Sequence, residues 1–273
     1  GGRSIDLESA VAGDRGLNGD RQFMMVDDEG CFITQREIGA LARIVVQRSG
    51  KALSIGFDHY QPIACVLDDF GNRTPCVVWR STVQVLVAPN SINETLSQWL
   101  GHSVRLVYQD QRAERLTSAR WTGEGVQVSL ADGYPVLIAN TASLDALNQF
   151  ICERAQDADA AVPMARFRPN LVIATDEPWA EDHWKYLRIG AVELELVKPC
   201  DRCVVVTYDQ QTGTPMGNEP SASLMRLRRS AHPEVGGVLF GWNCVVRKGG
   251  TLNIGESIEV LESKTEIWPL HTT

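Results

Sequence analysis

The stretch that decides the fold runs from residue 186 to residue 213 and reads YLRIGAVELELVKPCDRCVVVTYDQQTG. Its apolar and β-branched residues predict strands at 186–197 and 203–209. Two cysteines, Cys200 and Cys203, stand between these strands with Arg202 directly before the second one. Such a pair could be a redox couple, half of a zinc site, a ligand for another metal, or a turn that holds two small residues.

Outward from this stretch, short strand signals dominate the chain. Apolar runs within 21–37 are joined by Asp-Asp-Glu-Gly, which predicts a hairpin, and 42–57 repeats the pattern around Ser-Gly. Only two segments predict clear helices, 91–101 with a Ser91–Glu94 capping box and 141–155 with Thr141 or Ser143 as cap. Hairpin-linked strands with few helices predict a mainly β, mostly antiparallel, barrel-like fold rather than a doubly wound parallel sheet.

A polar stretch between residues 110 and 125 separates two halves of the chain. We therefore predict one domain over 1–115, a second over 116–263, and a C-terminal tail over 264–273. At 273 residues the chain is long enough for two modest domains, each with its own core.

Charge and cysteine content exclude several classes of partner. The formal net charge is −8, which disfavours a broad grip on nucleic acid or on anionic lipid. No apolar run approaches the roughly 20 residues of a spanning helix. The seven cysteines are an odd set scattered through a large chain, which favours reduced thiols. We therefore predict a cytoplasmic protein without nucleic-acid or membrane partners.

The cysteine pair leaves several kinds of site open. A structural zinc site needs four ligands, and no second pair at that spacing is present. A thioredoxin-like couple needs a helix after its first cysteine, whereas strand-forming residues follow here. A structural turn with buried cysteines remains open. Lys198 and Arg202 would favour a thiolate, which is both a nucleophile and a ligand for soft metals.

Arginines mark three further stretches, GDRQF at 19–23, TQRE at 34–37 and RFRPN at 166–170. Solvated arginines at strand ends would explain each one alone. Bidentate recognition of a single phosphate-bearing ligand would give Arg21, Arg36 and Arg168 a shared purpose.

These stretches together resemble the MOSC domain family, named for the molybdenum cofactor sulfurase C-terminus. The resemblance lies in VKPCDRCVVVTYDQQTG, FRPNLVI, EDHWKYLRIGAVELEL and LFGWNCVV with GTLNIGESIEVL. Upstream, GLNGDRQFMMVDDEGCFITQRE resembles the β-barrel domain that precedes MOSC in the amidoxime-reducing branch. The resemblance implies a MOSC-type β-barrel preceded by a smaller β-barrel-like domain.

The resemblance also implies a molybdenum cofactor, Mo-molybdopterin, and the residues that hold it. Cys203 would be the metal ligand and catalytic residue, with Cys200 as a neighbour. The cofactor-binding positions that the resemblance implies are Arg21, Arg36, Asp132, Arg168, Asn170 and Arg202. Asp201 departs from the serine of many relatives, and a Lys-Ser pair of the family would fall at or just before Gly1.

The implied activity is the reduction of N-hydroxylated or N-oxygenated small molecules. No plant-type ferredoxin motif is present in the sequence, so electrons would come from a separate iron–sulfur or flavin protein. Two alternatives stay open: a sulfur carrier with a persulfide on Cys203 or Cys200, and a non-catalytic module that holds the pterin. Pyridoxal phosphate, suggested for the family in general, would need a Schiff-base lysine, and none stands out.

Overall fold

The computed structural model describes residues 1–271, so positions 272 and 273 of the predicted tail lie outside the described residues. The described chain is mainly β. Its sixteen strands are β1 (Ser9–Gly13), β2 (Gly16–Leu17), β3 (Phe23–Val26), β4 (Ile44–Ser49), β5 (Ala52–Phe57), β6 (Ile63–Val66), β7 (Gly71–Val78), β8 (Ser81–Val87), β9 (Arg105–Tyr108), β10 (Val136–Asn140), β11 (Leu171–Ile173), β12 (Trp184–Ile189), β13 (Val192–Arg202), β14 (Val238–Lys248), β15 (Gly250–Asn253) and β16 (Ile258–Ser263).

Helices are few and mostly short. The α-helices are α1 (Asn90–Leu100), α2 (Ala119–Thr122), α3 (Thr141–Ala155) and α4 (Ser221–Leu227). Single turns of 3-10 helix lie at Gly39–Arg43, Leu67–Asp69, Ala158–Ala160, Met164–Phe167, Ala180–Asp182 and Val204–Thr207. Nowhere in residues 1–271 is a helix both long and apolar enough to cross a membrane.

The first half packs two small sheets and α1 around one core. The sheet orders are β3-β9-β8-β7 and β4-β5-β6. In β5 the buried residues alternate, with Leu53, Ile55 and Phe57 facing the core. Helix α1 closes this core with Leu96 and Leu100, and it ends at Gly101 in the left-handed conformation that the sequence predicts.

The second half is built on a six-stranded sheet with the order β11-β10-β14-β13-β12-β16. Only β10 and β11 are parallel within it, and the other neighbours are antiparallel. The prediction of a mainly β, mostly antiparallel fold is confirmed. Strand β1 pairs with β15 and places Ala12 in the core of this half, so the start of the chain joins both halves.

Three local predictions were wrong. The predicted strand at 203–209 does not form, and Val204–Thr207 make a 3-10 turn instead. Val206 packs in the core with Leu224 and Phe167, and Thr207 Oγ1 donates to the Val204 carbonyl at 2.8 Å. Helix α1 begins after Pro89 without a side-chain cap, so the predicted capping box does not form. The cap of α3 is Asn140, which lies one residue before Thr141 and three before Ser143, the two predicted candidates.

Candidate functional site

The backbone around the two cysteines is extended. Strand β13 continues through Arg202, which pairs with Val238, and Cys203 keeps extended angles of φ −96° and ψ 177°. A strand that rises about 3.3 Å per residue would separate the Cα atoms of Cys200 and Cys203 by about 10 Å. A disulfide needs about 4.4–6.8 Å. On this spacing the pair would need backbone movement to form a disulfide, and both cysteines are free in this structure. The 3-10 turn Val204–Thr207 follows Cys203 directly.

The two thiols have different surroundings. Cys203 is exposed, whereas Cys200 is half-buried and accepts a hydrogen bond from Arg202 Nη1 at 2.9 Å. Burial raises the pKa of the Cys200 thiol, although the Arg202 charge acts in the opposite direction. Cys200 is thus the engaged thiol, and Cys203 is the accessible one.

The structure corrects the expectation that Lys198 and Arg202 favour a thiolate at Cys203. Lys198 Nζ pairs with Asp201 Oδ1 at 2.7 Å, and Arg202 contacts Cys200 and the Phe167 carbonyl, the latter at 2.6 Å. Arg202 contacts Cys200 and not Cys203 because residues two apart in a strand point to the same face. Arg202 Nε is buried and has no hydrogen-bond partner among residues 1–271.

Arg21 and Arg168 meet although 147 positions separate them. Arg21 Nη2 donates to the Arg168 carbonyl at 3.3 Å. The Arg168 side chain donates to Gln210 Oε1 at 3.0 Å and to the Gly2 carbonyl at 2.9 Å. Both arginines have left-handed backbones, with φ of 48° and 53°. That conformation costs a long side chain on the order of 1–3 kcal/mol, and such strain is concentrated at functional sites.

The three arginines form a half-buried group in which positive charges lie close to one another. Burial, followed by the like charge of Arg21, lowers the pKa of Arg168 to about 10, and Arg202 acts in the same direction. Asp20 and Asp132 oppose this effect. An anion bound at this place would relieve the repulsion between the guanidinium groups.

The Asn170 side chain links the segment that carries Arg21 to strand β10 through two hydrogen bonds. Its Nδ2 donates to Asp20 Oδ2 at 2.8 Å, and its Oδ1 accepts from the Leu137 amide at 2.9 Å. Both polar ends of the side chain are therefore engaged within the protein. In this structure Asn170 holds the segment that carries Arg21 against β10.

Arg36 and Asp132 belong to the rim of the site. The Arg36 guanidinium lies 4.9 Å from the centre of the Trp79 ring, and Trp79 Nε1 donates to Asp132 Oδ1 at 3.4 Å. The charge of Asp132 acts on both Arg168 and Cys200, which places it beside the arginine group and the cysteines. Arg36 reaches this site through Trp79.

Four residues at the site have no role in the sequence-based prediction. Gln210 holds Arg168, Gln35 donates to the Gly1 carbonyl at 2.7 Å, and Trp79 joins Arg36 to Asp132. Burial, together with the Asp201 charge and the Cys200 thiol, raises the pKa of Tyr134 to about 12. Gln210 and Tyr134 stand in the DQQTG and DGYP stretches, whereas no sequence signal marks Trp79.

Comparison with known proteins identifies two family domains along the chain. Residues 1–103 match the family model of the MOSC N-terminal beta barrel domain, and residues 125–259 match that of the MOSC domain. The chain is 27% identical to mitochondrial amidoxime-reducing component 1 of Danio rerio, over 94% of this chain and 80% of that protein. The human protein of that name is also 27% identical, over 89% of this chain and 73% of its own length.

A second kind of relative is a longer protein, of which this chain matches only a part. Molybdenum cofactor sulfurase of Danio rerio is 30% identical over 82% of this chain, which corresponds to 29% of that protein. The two family models together account for most of the chain, in the order that the sequence predicts. The chain belongs to the MOSC family, with a MOSC N-terminal beta barrel domain followed by a MOSC domain.

Proposed function

We propose that the protein is a molybdenum-cofactor oxidoreductase that reduces N-hydroxylated or N-oxygenated small molecules, with electrons from a separate iron–sulfur or flavin protein. The observation that supports the proposal is the half-buried group of Arg21, Arg168 and Arg202, of which Arg202 directly precedes the exposed Cys203. The names of the amidoxime-reducing relatives support the substrate class.

The residues fit the cofactor in two respects. Guanidinium groups are the preferred partners of phosphate, and here Arg21 and Arg202 lie close enough for their charges to act on Arg168, with Asp20 and Asp132 acting in the opposite direction. The unpartnered Nε of Arg202 leaves one buried donor free among the described residues. Cysteine sulfur is a soft ligand that suits molybdenum, and Cys203 offers an accessible thiol. Cys200 is half-buried and bonded to Arg202, so it is the poorer ligand.

Each group then has a defined task. The cofactor, when bound, supplies a metal centre that can exchange electrons with an N–O group. Arg21 and Arg168 would hold its phosphate, while Gln210 accepts a hydrogen bond from Arg168 and Asn170 donates one to Asp20, beside Arg21. Arg202 fixes the strand end that presents Cys203, because it ties Cys200 to the Phe167 carbonyl. The exposure of Cys203 leaves room for a small-molecule substrate and for an electron donor.

Metal and pterin analysis of protein from a molybdenum-replete host tests the proposal. We expect near-stoichiometric molybdenum and pterin in the wild type, and a lost or altered metal signal in Cys203→Ser but not in Cys200→Ser. With reduced methyl viologen as donor, the wild type is expected to convert benzamidoxime to benzamidine. Absence of molybdenum and pterin from all three proteins would sink the proposal.

A persulfide carrier is the second candidate, because the sulfurase relatives match the same segment and Cys203 is exposed. Sulfur labelling of Cys203 without bound molybdenum would favour it. A module that only holds the pterin would bind the cofactor but show no turnover with any donor. Pyridoxal phosphate needs a free lysine, and Lys198 beside the cysteines is paired with Asp201. The cytoplasmic location stays a prediction, since two relatives are named as mitochondrial.

A further inference from the structure

Gly56 stands inside a regular strand, at a position where the backbone does not require glycine. It lies in β5 and pairs with Val45 of β4 in a register that runs without a bulge. Gly56 is not among the glycines with positive φ, and a Cβ built on it would meet only the Val45 carbonyl oxygen, at 3.9 Å. Glycine weakens a strand interior, and it is often found there where a ligand approaches closely. The space above Gly56 is therefore open to another molecule.

This face of the sheet carries an open pocket of about 290 Å³. The alternate residues of β5 face the core, so Ser54 and Gly56 face outward, together with Val45 of β4. These three residues form the floor of the pocket, and Arg3 and Arg43 stand at its wall. Pockets for small molecules usually measure about 300–1,000 Å³, so this one suits a small ligand.

Arg3 is exposed, but it is held in place beside the pocket. Its amide donates to the Ile44 carbonyl at 2.8 Å, and its Nη2 donates to the Gln211 carbonyl at 2.9 Å. The second bond uses one of the five N–H donors of the guanidinium. A side chain that is already fixed loses less conformational entropy when a ligand binds to it. Arg3 thus offers a preorganised positive charge.

The charges around the pocket favour an anion that carries a single charge. Arg43 Nε donates to Asp58 Oδ1 at 2.9 Å and its Nη2 contacts Oδ2, so this pair is neutral as a whole. The side-chain bond of Arg3 goes to a carbonyl, which leaves its charge without a counter-ion among residues 1–271. Asp58 would repel the second charge of a dianion, whereas Arg3 can balance the one charge of a carboxylate.

We propose that this pocket binds a small organic carboxylate, with the carboxylate group on Arg3 and an apolar body over Gly56 and Val45. The Ser54 hydroxyl in the floor can donate to a polar group of the same ligand or accept from one. None of the residues that line the pocket belongs to the cysteine pair or to the group of Arg21, Arg168 and Arg202. The pocket is therefore a second site, and it stands independently of the proposed oxidoreductase activity.

Benzoate is the probe for this site, and benzamide is its neutral counterpart of similar shape. Titration of ¹⁵N-labelled protein, followed by two-dimensional NMR, gives both the Kd and the position of binding. We expect benzoate to produce saturable shifts at the Val45 and Ser54 amides, and benzamide to bind at least about tenfold more weakly, as expected from the loss of one charge-assisted hydrogen bond.

Two variants test the site from different directions. Arg3→Gln removes the charge and is expected to raise the Kd of benzoate by about tenfold. Gly56→Leu fills the pocket and is expected to abolish the saturable shifts. Both are expected to fold, because Arg3 is exposed and the space around Gly56 is open, and the Tm of each is measured beside the titration.

Arg48→Gln is the matched control, because Arg48 is an exposed arginine of the same strand β4 that bonds to Gln22 and lies outside the pocket. It is expected to bind benzoate like wild type. Three outcomes would overturn the proposal: no saturable shifts in wild type, an unchanged Kd in Arg3→Gln or in folded Gly56→Leu, or shifts confined to the amides of Arg21 and Arg168.

Discussion

Single residues at the site carry backbone and charge costs that the fold alone does not require. Arg21, Trp79 and Arg168 all have left-handed backbones, and long or bulky side chains in that conformation are uncommon. Arg168 is in addition surrounded by Arg21 and Arg202. Both costs become understandable if an anion binds among the guanidinium groups.

The first prediction is that inorganic phosphate stabilises the protein through Arg168. Saturation to ten times the dissociation constant adds about 1.4 kcal/mol to the free energy of unfolding. A chain of this size gains about 2–4 °C in Tm per kcal/mol. Differential scanning fluorimetry with a phosphate series is expected to show this rise in wild type and its loss in Arg168→Gln.

The control for this prediction is Arg120→Gln, since Arg120 is exposed and paired with Glu234. It is expected to respond to phosphate like wild type. An equal rise in all three proteins would indicate the general effect of excluded salts and would refute a specific anion site.

At the scale of elements, the junction of β10 and α3 is held by a buried hydrogen-bond network. Asn140 is fully buried, and its Oδ1 accepts from the Ala142 amide at 3.1 Å. Its Nδ2 donates to Glu181 Oε2 at 3.0 Å, and Ser143 donates to the same carboxylate oxygen at 2.8 Å. The Asn140 side chain thus caps α3 and also donates a hydrogen bond to the buried Glu181 carboxylate.

The second prediction is that Asn140→Ala lowers the free energy of unfolding by about 2–4 kcal/mol, since it removes a cap and leaves a buried carboxylate short of a donor. Asn90→Ala at the start of α1 is the matched control, because α1 has no side-chain cap and Asn90 is exposed. It is expected to change stability by less than about 0.5 kcal/mol. Urea denaturation measures both, and equal effects would contradict the role of the cap.

Element predictions succeeded where the pattern is local and failed where packing decides. The period of Leu147 and Ile151 places α3 correctly because both face one core. The β-branched run after Cys203 has strand propensity, but no strand is available there to pair with it. Val206 is buried among helical neighbours instead, and this tertiary contact overrides the local preference.

At the scale of the whole molecule, the two halves meet at the site. A Cβ on Gly213 would lie 1.9 Å from the Gly39 carbonyl oxygen. The backbone of the turn that ends at Gly213 therefore contacts the backbone at Gly39 with no room for a side chain. That turn also carries Gln210, which holds Arg168. The site therefore depends on how the halves are joined, while the domain boundary at 115/116 stays a prediction.

The third prediction is that Gly213→Ala destabilises the protein and weakens the site together. Gly50→Ala is the matched control, because Gly50 also has a positive φ but has open space around it. The control is expected to lose about 1–2 kcal/mol from the backbone conformation alone. Gly213→Ala is expected to lose more and also to reduce the phosphate-dependent rise in Tm. An unchanged phosphate response in Gly213→Ala would show that the contact between the halves does not position Arg168.

The sequence by itself determined the mainly β class, most of the elements and the family, because strand alternation, helical period and ordered motifs are local properties. Only the tertiary structure decided that Cys203 is the accessible thiol, that Arg202 contacts Cys200, and that Trp79 lies at the rim. Contacts such as Arg21 with Arg168 join residues 147 positions apart. No local pattern encodes such a contact, since it depends on how distant segments of the chain pack against each other.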